Sequence, residues 1–367
     1  MRINILDPAL RSSAGHHLEF DRITAEEMRA RGHTVCVVGN LDCEEKTSRR
    51  FPPEVRHLRL FRTRPYQVGR GRFRFAGSFA AYLYAARMIA NDLKSVPPAD
   101  MWIWPTLFAH DLRACGLARA EVPISGVIHR ASLDGTWSMT TQLIWRDAAR
   151  LALRHGLDIR RIGPIEDEML PELAGALARF SPMTLPVPVE ASGTPVRRMR
   201  LETVGFFGHQ SGTYRIDAVG KLAEACANAG LKVIVQDSSE RLKPSLRPEI
   251  RQVGYVDDLA ALVQQADLAI LPYAPGTYRT ALSGIGAVAI ACGVPVLAPA
   301  ETSIARKLAR YNTGLTFADD TAAGVLAAID TVRADYAAFA DRARRAAEVW
   351  AVSNNVAGYA DALLGKR

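Results

Sequence analysis

Ser283-Gly284-Ile285-Gly286 follows the apolar run Leu271-Pro272-Tyr273 and opens a stretch of small residues that closes at Cys292-Gly293. This order reads as a strand end, a loop and a helix start. The first turn of a helix carries unbonded backbone N–H groups and the positive end of its dipole, and glycine lets an anion approach them closely. The chemistry on offer is capture of a phosphate or diphosphate at Ser283, Gly284, Ile285 and Gly286, with Tyr273 at the strand end. The same glycines equally suit plain helix–sheet packing. A dinucleotide fingerprint, Gly284-x-Gly286-x-x-Ala289 with Glu301 beyond the next strand, needs its glycines directly after a strand. Residues 274–283 intervene here, which argues against a nicotinamide cofactor.

Other polar groupings are weaker. His16-His17 has the residue type of a metal ligand pair. Adjacent side chains are expected to point apart, however, and no acid stands nearby in the chain, so a loop role is favoured. Asp257-Asp258 reads as a helix cap and residues 165–168 as a solvated acidic turn. No Asp-x-Asp motif follows a strand, so a catalytic metal is not expected. Within residues 56–75, Arg56, Arg59, Arg62, Arg64, Arg70, Arg72 and Arg74 alternate with Phe61, Tyr66, Phe73 and Phe75, without an acid. A solvated cationic loop is one reading. The one preferred is contact of Arg70, Arg72, Arg74 and Phe73 with an anionic acceptor or membrane surface, where each basic residue gains about 1 kcal/mol and aromatics insert. No nucleic-acid module accompanies the segment.

At 367 residues the chain exceeds what one core usually supports, so two domains are expected. Hydrophobic content of 49% and charged content of 23% are those of a globular protein. The net charge of +8 is uneven. Residues 1–188 hold 26 Lys and Arg against 20 Asp and Glu, and the remainder 20 against 18. The five cysteines are scattered without zinc-ligand spacing, which suits a reduced compartment. The N-terminus lacks the form of a signal peptide and no apolar run reaches the ~18 residues of a membrane span. The expectation is a cytoplasmic protein whose membrane contact is peripheral, on the inner face.

Apolar runs at 2–6, 34–40, 55–61, 100–104 and 123–129 read as parallel strands, with helical periodicity over 18–32 and 79–93 between them. The proline-rich stretch 181–195 reads as a linker. Beyond it strands at 202–208, 232–236, 251–256, 268–273 and 294–299 alternate with helices at 218–230 and 257–266. The helical tail is interrupted near Ser353–Asn355. These patterns predict a doubly wound α/β architecture.

The ordered set "VGYVDDLAALVQQADLAILPY", "SGIGAVAIACGVPVLAP" and "YNTGLTFADDTAAGVLAAI" resembles the donor domain of GT-B glycosyltransferases, most closely glycosyltransferase family 4. "GHHLEFDRITAEEMRARGHTVCVVGN" is similar to that family's opening helix, and "PVPVE" to its linker. The resemblance implies a GT-B fold: two Rossmann-like doubly wound domains facing a cleft, with a C-terminal helix crossing back. The implied boundaries are 1–186 for the acceptor side, 187–350 for the donor side and 351–367 for the returning helix. It implies a nucleotide diphosphate sugar as co-substrate with no separate cofactor, a glycan or lipid-linked acceptor, metal-independent transfer, and a role in envelope or exopolysaccharide assembly.

Residue by residue, His209 and Arg215 fall where the family holds the donor diphosphate, Arg215 by charge and His209 by a hydrogen bond. Tyr255 and Val256 fall where backbone groups hold the base. Gly284, Ile285 and Gly286 fall at the phosphate-facing helix start. Gly15 and His16 lie on a loop that closes over the donor, and His129 matches a histidine beside the transferred sugar. An inverting reaction needs a general base, for which His129 and His17 are the candidates. The family's two glutamates are replaced by Thr280 and Val288, leaving Tyr278, Arg279 and Ser283 to hold the sugar. That departure keeps two rivals open, a non-catalytic GT-B-like binding module and a GT-B sugar-nucleotide epimerase.

Overall fold

Strands that are apolar on both faces pair in parallel and need crossover helices to cover them. The computed structural model describes residues 1–12, 16–65, 77–130, 138–189, 198–208, 216–237, 242–273 and 278–366. Among these, the first half supplies β1 (Arg2–Leu6), β2 (Thr34–Asn40), β3 (Arg56–Phe61), β4 (Met101–Trp104), β5 (Ile124–Ile128) and β6 (Ile159–Pro164), paired in parallel in the order β3-β2-β1-β4-β5-β6. The second half supplies β7 (Thr203–Phe206), β8 (Lys232–Gln236), β9 (Ile250–Val253), β10 (Leu268–Ile270), β11 (Val296–Pro299) and β12 (Gly314–Phe317). They pair in parallel in the order β12-β11-β10-β7-β8-β9. In each sheet the strand order turns around its first strand, as in Rossmann-type domains.

The chain divides into two compact units, Met1–Pro188 with Val356–Arg367, and Val189–Asn355. In the first, Ile3, Ile5, Phe61, Trp104, Trp145 and Leu173 are buried. Sequence periodicity passed over β6, because Arg160-Arg161 interrupts its apolar pattern. Ending at Pro164 on the sheet edge, it is a strand that proline tolerates. The first helix, His17–Ala30, stops at Arg31, and Gly32 then turns the chain with φ +79°, a conformation open to glycine.

The last helix, Val356–Leu363, belongs to the first unit. It buries Tyr359, Ala360 and Leu363. The Leu363 carbonyl accepts a hydrogen bond from Ser125 Oγ at 2.6 Å, and Arg31 bridges to Asp361 at 2.5 Å and to the Ala357 carbonyl at 2.8 Å. The break before this helix falls at Asn354, whose backbone is extended.

In the second unit the long helix Tyr336–Ser353 is anchored at both ends. Tyr336 donates to the Asp267 carbonyl at 2.9 Å, and the fully buried Trp350 donates from Nε1 to the Val189 carbonyl at 3.3 Å. Replacing Trp350 with Ala removes a large buried ring and should lower the stability of this unit by about 3–5 kcal/mol. Chemical denaturation followed by far-UV circular dichroism measures it, and a loss below about 1 kcal/mol would contradict the anchoring role.

Candidate active site

Ligands in doubly wound sheets bind beyond the carboxyl ends of the strands where the order turns. In the first sheet that point is β1, flanked by β2 and β4. Asp7 follows β1 directly, Pro105 follows β4 and His129 follows β5. The first helix begins at His17, with His16 at its cap already in helical conformation. These four positions bring the polar groups of the first unit together.

Asp7 is almost completely buried, and its two carboxylate oxygens are used differently. Oδ1 accepts the Ala9 N–H at 2.8 Å and Oδ2 accepts from His17 Nδ1 at 2.6 Å. The expectation that His16-His17 lacks an acidic partner is therefore overturned. Asp7 stands ten residues earlier in the chain, but the β1-to-helix connection folds it against His17. Because Nδ1–H is donated to the carboxylate, Nε2 is the basic nitrogen of His17. A buried histidine backed by a carboxylate is the arrangement of a general base.

The adjacent imidazoles do not point apart either. His16 stacks on His17 with ring centroids 4.3 Å apart, and on His129 at 4.6 Å. Both residues sit at the helix start. Phe20 closes the group edge-on against His129 at 4.6 Å.

His129 Nε2 lies 2.9 Å from the Pro105 carbonyl. A carbonyl only accepts, so Nε2 carries the proton and Nδ1 offers a lone pair. Burial, with the charges of His17 and Arg130, pushes the His129 pKa down to about 3 although its bond to Pro105 opposes this. His16 is likewise held well below the ordinary range, by burial first and then by His17, His129 and Arg130. The two histidines proposed from sequence are thus chemically distinct. His129 is a neutral hydrogen-bond acceptor, whereas His17 is carboxylate-backed.

In the second unit the corresponding turning point is β7. Gly208, two residues past its end, has φ +102° and donates its N–H to Gln236 Oε1 at 2.8 Å. Tyr273 follows β10, stacks on Tyr278 at 3.8 Å, and shares a 2.6 Å hydrogen bond with Ser283 Oγ. Ser283 caps the helix Gly284–Ala291 by accepting the Gly286 N–H at 2.9 Å. The glycines separate in role. A Cβ on Gly286 would lie 2.4 Å from Ile304 Cδ1, so this position serves packing against the next helix, whereas a Cβ on Gly284 would meet nothing within 4 Å. Gly284 is exposed, and Ile285, Thr280 and Val288 are half-buried. Arg279 is exposed, with its carbonyl accepting from Arg306. Tyr255 is exposed and Val256 half-buried in the connection after β9. Asp258 Oδ1 caps the following helix through the Ala261 N–H at 2.8 Å.

Gly15, His209, Arg215, Arg70, Arg72, Arg74 and Phe73 lie outside the described residues. Two arginines of the described part of the segment pair with acids outside it. Arg62 forks onto Asp92, with Nε 2.8 Å and Nη2 2.5 Å from Oδ1, and Arg64 meets Asp42 at 2.5 Å. A sequence free of acids within the segment hid these partners. The acidic turn at 165–168 also differs from expectation, because Glu166 is fully buried. Asp7 itself was missed by sequence reasoning. The signal for it was available, an acid placed directly after the first buried strand.

Two parallel six-stranded Rossmann-type sheets, one in each unit, make the GT-B fold. Residues 203–335, which include all the described strands of the second sheet, match the family described as Glycosyl transferases group 1. The fold is similar to that of sucrose-phosphate synthase from Thermosynechococcus elongatus, at TM-score 0.67 and 14% identity over 98% of this chain and 96% of that one. It is similar to HepE of Anabaena in complex with UDP-glucose, at TM-score 0.67 and 15% identity over 99% and 98% of the two chains. The glycosyltransferase SnogD from Streptomyces nogalater matches at TM-score 0.64 and 17% identity over 99% of each chain. At these identities the likeness is one of fold. Comparison with curated proteins by sequence finds no match.

Buried neutral imidazoles make stability depend on pH. His110, stacked on Phe108 at 5.2 Å, is pushed down to about 3 by burial, from 6.5. The unfolded chain takes up a proton below about 6.5 that the folded chain refuses, so stability is lost as pH falls from there toward 3. Each such group contributes up to ~1.4 kcal/mol per pH unit. Replacing His110 with Phe should shallow the acid limb of unfolding free energy against pH by about that increment. An unchanged slope would contradict a neutral buried His110.

Proposed function

We propose that the protein transfers a sugar from a nucleotide diphosphate sugar to a hydroxyl of a glycan or lipid-linked acceptor. The observation that carries this reading is the match of residues 203–335 to group 1 glycosyl transferases within a GT-B fold. HepE of Anabaena, one of the similar structures, is in complex with UDP-glucose. An envelope or exopolysaccharide role suits such an acceptor.

In the proposed reaction the second unit takes the donor. The Gly284 helix start offers backbone N–H groups, and Arg215 and His209 supply charge and a hydrogen bond to the diphosphate. Tyr255 and Val256 take the base, and Tyr273, Tyr278, Arg279 and Ser283 line the sugar side, since Thr280 and Val288 carry no carboxylate. His129 Nδ1 accepts a hydrogen bond from a sugar hydroxyl, and Gly15 and His16 close over the donor. His17 Nε2 removes the acceptor hydroxyl proton as that oxygen bonds to the anomeric carbon. The bond from that carbon to the diphosphate breaks, and its electron pair leaves on the diphosphate oxygen, whose charge is stabilised by the donor-binding groups. Direct attack assisted by a base inverts the anomeric configuration. No metal enters this sequence.

Among the described residues no helix is long and apolar enough to cross a membrane. Peripheral contact with an anionic lipid surface falls in this proposal to Arg70, Arg72, Arg74 and Phe73, because Arg62 and Arg64 are committed to Asp92 and Asp42.

Replacing His17 with Ala should lower kcat for transfer by roughly 10²–10⁴-fold, the contribution of a positioned base, while donor affinity measured by calorimetry changes little. The wild-type product, formed equally well in EDTA, should carry the anomeric configuration opposite to the donor's by proton NMR. Retention of configuration, or a variant of undiminished kcat, would overturn the role given to His17.

A further inference from the structure

The carboxyl group of Asp21 is completely buried one turn into the first helix, with both oxygens shielded from solvent. Neither oxygen meets an N–H or O–H donor, and burial first, then the charge of the neighbouring Asp7 and hydrogen bonding with it, hold the carboxyl well above its ordinary range. Two ionised carboxylates in that position would be two acceptors with no donor between them, in a place where water cannot supply one. One proton on Asp21 converts the contact into a hydrogen bond and leaves a single negative charge on the pair. Other groups face the same spot. Asp111, buried in the first turn of the helix Ala109–Ala118, feels the charge of Asp7. Cys43 and the Tyr359 hydroxyl of the terminal helix each feel Asp21, and Thr24 Oγ1 donates to the Phe20 carbonyl at 2.6 Å. His17 closes the chain at the other end, with His16, His129 and Arg130 beyond it.

We propose that Asp21 is a positioning residue for the His17–Asp7 pair: as a neutral acid it donates to Asp7, holds that carboxylate on His17 Nδ1, and so fixes the nitrogen that acts as base. The inference rests on the base role given to His17 above. Asp7 Oδ1 accepts the Ala9 N–H and Oδ2 the His17 Nδ1–H, so a proton on Asp21 adds a third bond that resists rotation of the carboxylate away from the ring. The charge count is also favourable. With one proton on Asp21, the group carries one negative charge, which is balanced when His17 takes up a proton. A second buried anion would oppose nothing and would cost heavily. Tyr359 packs edge-on to Phe20 with centroids 6.3 Å apart, which places the terminal helix as the wall that keeps Asp21 dry.

Three variants and two readouts test this. In protein carrying ¹⁵N-labelled histidine, the His17 ring, assigned by its absence from H17A, should show a protonated Nδ1 and a bare Nε2 at neutral pH. D21L, a shape-similar side chain without a donor, should blur that signature toward a mixture of tautomers, lower kcat roughly 10–100-fold at similar KM, and displace the acid limb of the kcat–pH profile. D21N retains an N–H donor and cannot ionise. It should keep the Nδ1–H signature and recover most of the kcat that D21L loses. If D21L retains both the tautomer and the acid limb, Asp21 positions nothing. If D21N fails like D21L while its far-UV circular dichroism and melting match wild type, the donor role is wrong. The NMR readout needs no turnover, so loss of the signature in D21L in a protein with no transferase activity would refute the glycosyl transfer reading and leave the positioning role standing.

Discussion

The 2.6 Å hydrogen bond from His17 to Asp7 is the interaction on which the polar interior of the first unit depends. A carboxylate this deeply buried is costly unless it is paired and hydrogen-bonded. Its two partners, the Ala9 N–H and the His17 ring, come from the two ends of the connection between β1 and the first helix. The start of the first helix therefore lies against the end of β1. Once His17 is placed, His16 stacks on it, and His129 at the end of β5 stacks on His16. Three imidazoles in so small a volume cannot all be charged, and burial resolves the conflict by holding His16 and His129 neutral. Chemical differentiation among identical side chains thus follows from which one has the carboxylate.

The second unit solves a different problem with glycine. Ser283 fills the orphan N–H of Gly286, and Gly286 is reserved for the close approach of Ile304. Gly284 has open space in front of it, so it is the member of the pair suited to a ligand approaching the helix start. The Tyr273–Ser283 bond ties this cap to the end of β10. The cap is thereby fixed to a strand end, which holds a binding geometry on rigid elements.

Much of the architecture was legible because its physics is local. Apolar runs such as Ile3 to Leu6 and Val35 to Val38 show buried parallel strands at once, and the break at Asn354 announces itself by polar residues. The edge strand β6 escaped because Arg160 and Arg161 break its pattern while the sheet edge tolerates them. The candidate residues His17, His129, Ser283 and Gly284 were visible as types near strand ends. Their roles were not, since these depend on contacts distant in sequence. Asp7 with His17 spans ten residues and Arg62 with Asp92 spans thirty, while Tyr359 reaches Phe20 from the far end of the chain. Nothing in the local pattern states that Gly286 packs and Gly284 does not. That distinction belongs to Ile304, on a different helix.

A double-mutant cycle on His17 and Asp7 tests most directly whether they act as one unit. Turnover would be compared for wild type, H17A, D7A and the double variant, each with folding checked by circular dichroism. A carboxylate that acts only through the histidine has nothing left to do once the ring is gone. The predicted result is that kcat of the double variant equals that of H17A within about twofold, although D7A alone loses at least tenfold. Losses that multiply independently in the double variant would show that Asp7 and His17 contribute separately, and would contradict a carboxylate-backed base.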